Sequence, residues 1–189
     1  MFLFGHLGFA ASCGVAAYVI EDERVKRRDG VSLPRFDWRY LLLGALLPDI
    51  IDKPLSEVIF SPYFHSGRIF GHTLLLLIIL VMVGIARYRS KGDTRILLLA
   101  LGCAAHLIAD AIWQYPATVF WPLLGWFRQE INYSLGISGF LVYLSENSVF
   151  FTEMSGMVLL IILMRATGIR SFSAAKKFLK TGELPVLAG

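Results

Sequence analysis

The chain has 189 residues, 56% of them hydrophobic and only 17% charged; 18 Lys and Arg against 14 Asp and Glu give a formal net charge of +4. A soluble domain carries about 25% charged residues, so this chain lacks the polar coat of an ordinary cytosolic enzyme, a disordered segment or a nucleic-acid binder with a basic surface. The composition points instead to a small integral membrane protein of one domain.

A membrane-spanning helix needs about 20 mostly apolar residues. The first apolar stretch is Phe2–Ile20. It has no basic n-region and runs into a charged loop with no clear cleavage site, so it reads as a retained span and not as a signal peptide. The second, Trp38–Asp52, is short and ends in Pro48 and two carboxylates; it reads as a short span. The third and fourth are Ile69–Ala86 and Ile96–Trp113. The segment Trp113–Phe127 then holds three of the four tryptophans, and Pro116 and Pro122 argue against one continuous helix there. It reads as an aromatic belt at headgroup level or as a platform for lipid tails. The fifth stretch, about Val149–Met164, starts behind Asn147 and Ser148 as caps. The division expected is a single membrane domain over 1–169 and a basic tail over 170–189, with SFSAAKKFLK as a short helix on the inner leaflet. Cys13 and Cys103 lie in apolar runs and read as small core residues.

Cytoplasmic loops collect Lys and Arg. Fifteen of the 18 basic residues fall after the first, third and fifth stretches, while the alternate loops hold only Lys53, Arg68 and Arg128. The pattern predicts an all-α bundle of five spans with the N-terminus outside and the C-terminus cytoplasmic.

Ionisable side chains inside a membrane are costly and mark function by default. Here they are His6, Asp49, Asp52, His72, His106, Asp110 and Glu153. With the topology above, all seven fall at the outer end of the bundle. Asp49 and Asp52 are spaced i,i+3, His106 and Asp110 i,i+4, so each pair shares a helix face. Imidazole and carboxylate together suit zinc, manganese or iron. Three His and three Asp exceed the needs of one tetrahedral zinc and suffice for two ions able to activate water and hold a phosphoester. Packed histidines and a proton relay are the competing readings of the same residues.

Arg68 precedes His72 by four residues and faces the same cavity if the helix starts early; its guanidinium suits phosphate, or snorkels to the interface. Lys53 has the same two readings. Glu153 reads as a ligand, as a general base, or as a carboxylate favoured by its own helix dipole. Glu57, Glu130 and Glu146 read as solvated loop residues. Trp113 stands seven residues after His106 and so shares its helix face. Met154, Met157 and Met164 read as core filler.

His6, GALLPDIID at 44–52, GRIFGHT at 67–73 and HLIAD at 106–110 together resemble the membrane-bound metal-dependent hydrolases of the YdjM type, a family that carries a LexA-regulated label. The resemblance runs from His6 to about Pro122. It implies His6, Asp49, Asp52, His72, His106 and Asp110 as metal ligands. The chain departs from the family's His-Arg-Gly in one place, reading Gly67-Arg68-Ile69, with His65 two residues earlier as a substitute or a loop residue. A more remote similarity to zinc-dependent phospholipase C implies phosphoester hydrolysis.

The function expected is a membrane-embedded metal-dependent hydrolase of the inner membrane, its site facing the extracytoplasmic side. It would act on a phosphoester of a lipid or other amphiphile with two divalent ions, zinc first, manganese or iron next, and with Asp49, Asp52, Arg68 and Glu153 as the catalytic candidates. Membrane lipid is the expected partner and nucleic acid is not. A metal or proton transporter and a structural metal-binding protein are the alternatives; the apolar inner halves of the spans offer a transporter few polar steps.

Overall fold

The computed structural model describes residues 3–26, 36–56, 67–127 and 147–185, and these are all helix, turn or connecting chain. The order is α1 (Leu3–Lys26), α2 (Trp38–Pro54), a 3-10 turn at Phe70–His72, α3 (Leu74–Lys91), α4 (Arg95–Ala109), a second 3-10 turn at Ile112–Gln114, the single-turn α5 (Pro116–Val119), α6 (Asn147–Ala166) and α7 (Phe172–Thr181). Two of these, α1 and the Ser148–Ala166 part of α6, are long and apolar enough to cross a membrane. At 1.5 Å per residue the 17 residues of α2 and the 15 of α4 reach only about 26 and 23 Å.

Small residues set the packing. α2 and α4 form the most extensive helix pair. Gly102 lies so close to α2 that a Cβ on it would sit 2.8 Å from the Ala45 nitrogen. α1 and α6 meet at Gly8 and Gly156 in the same manner, with 2.6 Å between a Cβ built on Gly8 and the Gly156 carbonyl oxygen. Helices in lipid associate through such close backbone approach because lipid tails are as apolar as leucine. Ala10, Ala45 and Ala105 fill the centre where α1, α2 and α4 converge.

Two boundaries differ from the sequence expectation. The third apolar stretch does not begin a helix at Ile69. Thr73 caps α3 by accepting the Leu76 N–H at 3.2 Å, so His72 lies in a turn before the helix and not one turn inside it. The i,i+4 argument joining Arg68 to His72 therefore does not apply. The fourth helix ends at Ala109, and Ala111 is left-handed at φ 49°. Trp113 then leaves the His106 face and is 63% exposed. Chain direction still holds at Asp110, whose N–H donates to the His106 carbonyl at 3.0 Å.

The far end of the bundle is closed by α7. Its Ala174, Ala175 and Phe178 pack on Trp38, Leu41, Leu98, Ile169 and Leu184. Arg39 donates to the Leu179 and Lys180 carbonyls at 3.1 and 2.9 Å, and the Trp38 N–H donates to the Gly182 carbonyl at 2.9 Å. The basic tail is thus folded against the bundle over α7.

Candidate metal centre

The six candidate ligands are delivered by the ends of four elements. The start of α1 carries His6. Its first N–H groups have no partner within the helix, and Glu153 of α6 supplies one, accepting from Phe4 N–H at 2.9 Å and Gly5 N–H at 3.2 Å. The end of α2 carries Asp49 and Asp52. The turn before α3 carries His72. The end of α4 carries His106 and, one turn on, Asp110. His6, His72 and His106 are all 1% exposed or less.

The two central imidazoles have their tautomers set by their partners. His106 Nδ1 lies 2.7 Å from the Ala45 carbonyl oxygen, which can only accept. His72 Nδ1 lies 2.7 Å from Asp52 Oδ2. Both Nδ1 atoms therefore carry hydrogen, and each ring turns its Nε2 inward. Those two Nε2 atoms are 3.2 Å apart. Asp49 Oδ1 lies 3.9 Å from each of them. Nearby, His6 stacks on His106 with ring centroids 3.8 Å apart, and His6 Nε2 lies 3.2 Å from Asp110 Oδ1. Asp110 Oδ2 is 3.8 Å from His72 Nε2. Two sets of three could hold a cation: Asp49, His72 and His106, and His6, His106 and Asp110.

These spacings pass a simple test. Zinc–nitrogen and zinc–oxygen bonds near 2.1 Å in a tetrahedron put ligand atoms about 3.4 Å apart. The observed separations of 3.2 to 3.9 Å bracket that value. His106 has one inward nitrogen and so serves one ion. Asp110, with one oxygen toward His6 and the other toward His72, is the carboxylate placed to serve two.

Asp52 is brought near but turned away. Its oxygens accept from His72 Nδ1, from Ile69 N–H at 2.7 Å and from Gly71 N–H at 2.6 Å. It is fully buried and belongs to neither ligand set. Any side chain on Gly71 would meet this carboxylate and the backbone of Pro48. Asp52 thus orients His72 from behind, the place a carboxylate takes behind metal-bound histidines.

The remaining candidates divide. Arg68 Nε donates to Asp110 Oδ2 at 3.1 Å, and its guanidinium lies 4.8 Å above the Tyr115 ring. Its side chain is 24% exposed, so it sits at the rim. Lys53 donates to Asp49 Oδ2 at 2.7 Å. Glu153 is outside both ligand sets, holding the start of α1 instead of capping its own helix. His65, Glu57, Glu130 and Glu146 lie outside the described residues. Two contributors were not singled out from sequence. The Ala45 carbonyl had no signal at all, and Tyr115 was hidden among the belt aromatics.

A family model described as YdjM inner membrane protein matches residues 1–177. The chain belongs to this family. The match takes in every ligand candidate, all of α6 and half of α7. No curated protein and no solved structure matches the chain. The family description gives a location, the inner membrane, and two long apolar helices agree with it.

Proposed function

We propose that this inner membrane protein is a metal-dependent hydrolase that cleaves a phosphoester of a lipid or other amphiphile. The observation that carries the reading is the pair of Nε2 atoms pointed at each other across 3.2 Å, with Asp49 alongside. Acceptors so arranged in a buried place repel unless a cation lies among them. Asp49, His72 and His106 would hold one divalent ion and His6 the other, with Asp110 between them. Zinc fits the donor set best, followed by manganese or iron.

Bound there, the ions would supply Lewis-acid activation of water and stabilisation of phosphate charge. The chain's own residues do the rest. Asp52 keeps His72 in the Nδ1–H tautomer, and the Ala45 carbonyl does so for His106. Glu153 fixes the start of α1 and with it His6. Asp49, the most accessible ligand with 21% of its side chain exposed, is the carboxylate best placed to take a proton from an attacking water. Arg68 at the rim presents the guanidinium that would bind the substrate's phosphate oxygens.

The reading includes a topology. Five crossings with the basic loops in the cytoplasm put this end of the bundle on the extracytoplasmic side, where a lipid headgroup could approach from the outer leaflet.

Elemental analysis of purified protein tests the proposal, together with hydrolysis of fluorogenic phospholipid and phosphodiester substrates. The expected result is about two transition-metal ions per chain and turnover that disappears on chelation and returns with zinc or manganese. Metal-free protein with full activity, or protein that never retains a transition metal, overturns it.

A further inference from the structure

The end of the bundle opposite the His–Asp cluster holds an apolar cavity. It is about 300 Å³ in volume and lies between α1, α2, α6 and α7. Every residue lining it is apolar except Thr167, whose hydroxyl is spent on the Leu163 carbonyl at 2.7 Å. Along the end of α6 and the turn after it the lining runs from Leu160 to Thr167, nearly two turns, or about 10 Å of depth. Ala11 and Val15 form the opposite wall, and Ala175 and Leu179 of α7 form the mouth.

Basic residues adjoin the lining. Lys176 and Lys180 directly follow two of the three α7 lining residues, Ala175 and Leu179, and Arg165 and Arg170 flank the end of α6. All four are exposed. Arg170 Nε donates to the Arg165 carbonyl at 3.1 Å, which brings these two together. Beside the lysines on α7 lie two large apolar residues in the open, Phe172 at 86% and Leu179 at 69% exposure. On a helical wheel Phe172, Leu179 and Ala175 form one edge, Lys176 and Lys180 the next. This is the pattern of a helix lying in the interface, apolar edge toward the acyl region and lysines at headgroup height.

We propose that this cavity binds one anionic phospholipid of the leaflet opposite the His–Asp cluster, with an acyl chain in the apolar cleft and the phosphate over Lys176, Lys180 and Arg170. Charge complementarity chooses this occupant. A zwitterionic lipid gains little from four cations, and a soluble anion gains nothing from a dry apolar cleft. Because α7 is also the element that Arg39 and Trp38 clamp to the start of α2, a lipid seated here braces the far end of the same helix that carries Asp49.

The test uses the full chain purified in detergent and exposed to phosphatidylglycerol, phosphatidylcholine or glycerol phosphate, with retained molecules identified by native mass spectrometry. The expected result is one phosphatidylglycerol per chain, retained at a concentration at least about tenfold below that needed for phosphatidylcholine, and no retention of glycerol phosphate. Lys176→Gln with Lys180→Gln changes only exposed residues and should erase the preference. Ala175→Trp should fill the mouth and abolish retention with all four cations still present. Equal retention of the two lipids overturns the proposal, as does phosphatidylglycerol binding that survives either variant. Glycerol phosphate binding alone would mean a simple anion patch, and a dimer disrupted by Ala175→Trp without lipid loss would mean a second copy covers the cleft; each result refutes the proposal.

Discussion

Asp37 and Asp52 cap opposite ends of the bundle, both almost wholly buried at 1% and 0% exposure, and they are neutralised in different ways. Asp37 meets arginine. Arg39 forks onto both its oxygens at 2.9 and 2.8 Å, and Arg95 stands 3.7 Å away. The group is closed, with cations supplied by the chain itself, and its effect is to cap α2 and seat α7. Asp52 meets two backbone N–H groups and an imidazole, and beyond that imidazole lie more acceptors: His106, Asp49 and Asp110. The contrast separates an ion cluster closed by arginine from a cluster of imidazoles and carboxylates. In the first, donors match acceptors. In the second, His and Asp side chains converge from four elements, with Lys53 on Asp49 Oδ2 and Arg68 on Asp110 Oδ2.

If the comparison is sound, substitutions at the two ends should have separable effects. The largest is expected at Asp110, whose two oxygens face His6 and His72. Asp110→Ala should drop the metal content from about two ions per chain to less than one and abolish hydrolysis while the helical circular dichroism persists. Asp52→Asn comes next. It keeps shape but loses the charge behind His72, and metal affinity should fall about 10- to 100-fold, read by competition with a chromophoric chelator. Unchanged affinity would mean that the orientation of His72 does not matter.

Glu153→Gln is expected to cost less. Replacing a carboxylate that caps α1 should weaken retention of the ion on the His6 side by about 1 kcal/mol, roughly fivefold. The pH–rate profile should keep its shape, as expected of a residue that only positions α1. A profile that loses a limb would return Glu153 to the role of base.

Asp37→Asn keeps a capping side chain but loses the ion pairs, so it should leave metal content untouched and lower stability by about 1 kcal/mol or less, read by unfolding in mixed micelles. Burial raises the Asp37 carboxyl, but hydrogen bonds and charge from Arg39, with Arg95 behind, outweigh it and hold it below the usual carboxylate range. A folded value below the unfolded one means the stabilisation is complete above about pH 4 and is lost as pH falls through the folded value. The difference between wild type and Asp37→Asn should therefore shrink in that acid window and be constant above it.

The gathering of the His and Asp residues was largely legible in the sequence. Loop charge and chain order alone put His6, Asp49, His72, His106 and Asp110 at one level, and the structure brings them within a few ångströms of each other. Finer roles were hidden for identifiable reasons. Asp52 and Asp49 share a helix face, yet the N–H groups of Ile69 and Gly71 turn one of them away, and a turn of that kind leaves little trace in hydropathy. Glu153 lies 148 residues from the backbone it caps. The start of α3 was misplaced because Ile69 and Phe70 are as apolar as the helix behind them; Thr73, a good cap, was the overlooked signal. At the other end, the basic tail was read as a short helix on the inner leaflet, and its packing on the bundle was not foreseen. Its Ala174, Ala175 and Phe178 stripe is narrow, and its seat depends on Arg39, 140 residues away.

Anomalous diffraction from crystals grown with zinc or manganese tests the central claim most directly. Two peaks are expected, one bounded by Asp49, His72 and His106 and one beside His6, with Asp110 reaching both and Asp52 touching neither. A metal-saturated crystal with no peak within bonding distance of His72 and His106 Nε2, or with a proton-linked imidazole pair in their place, would contradict it.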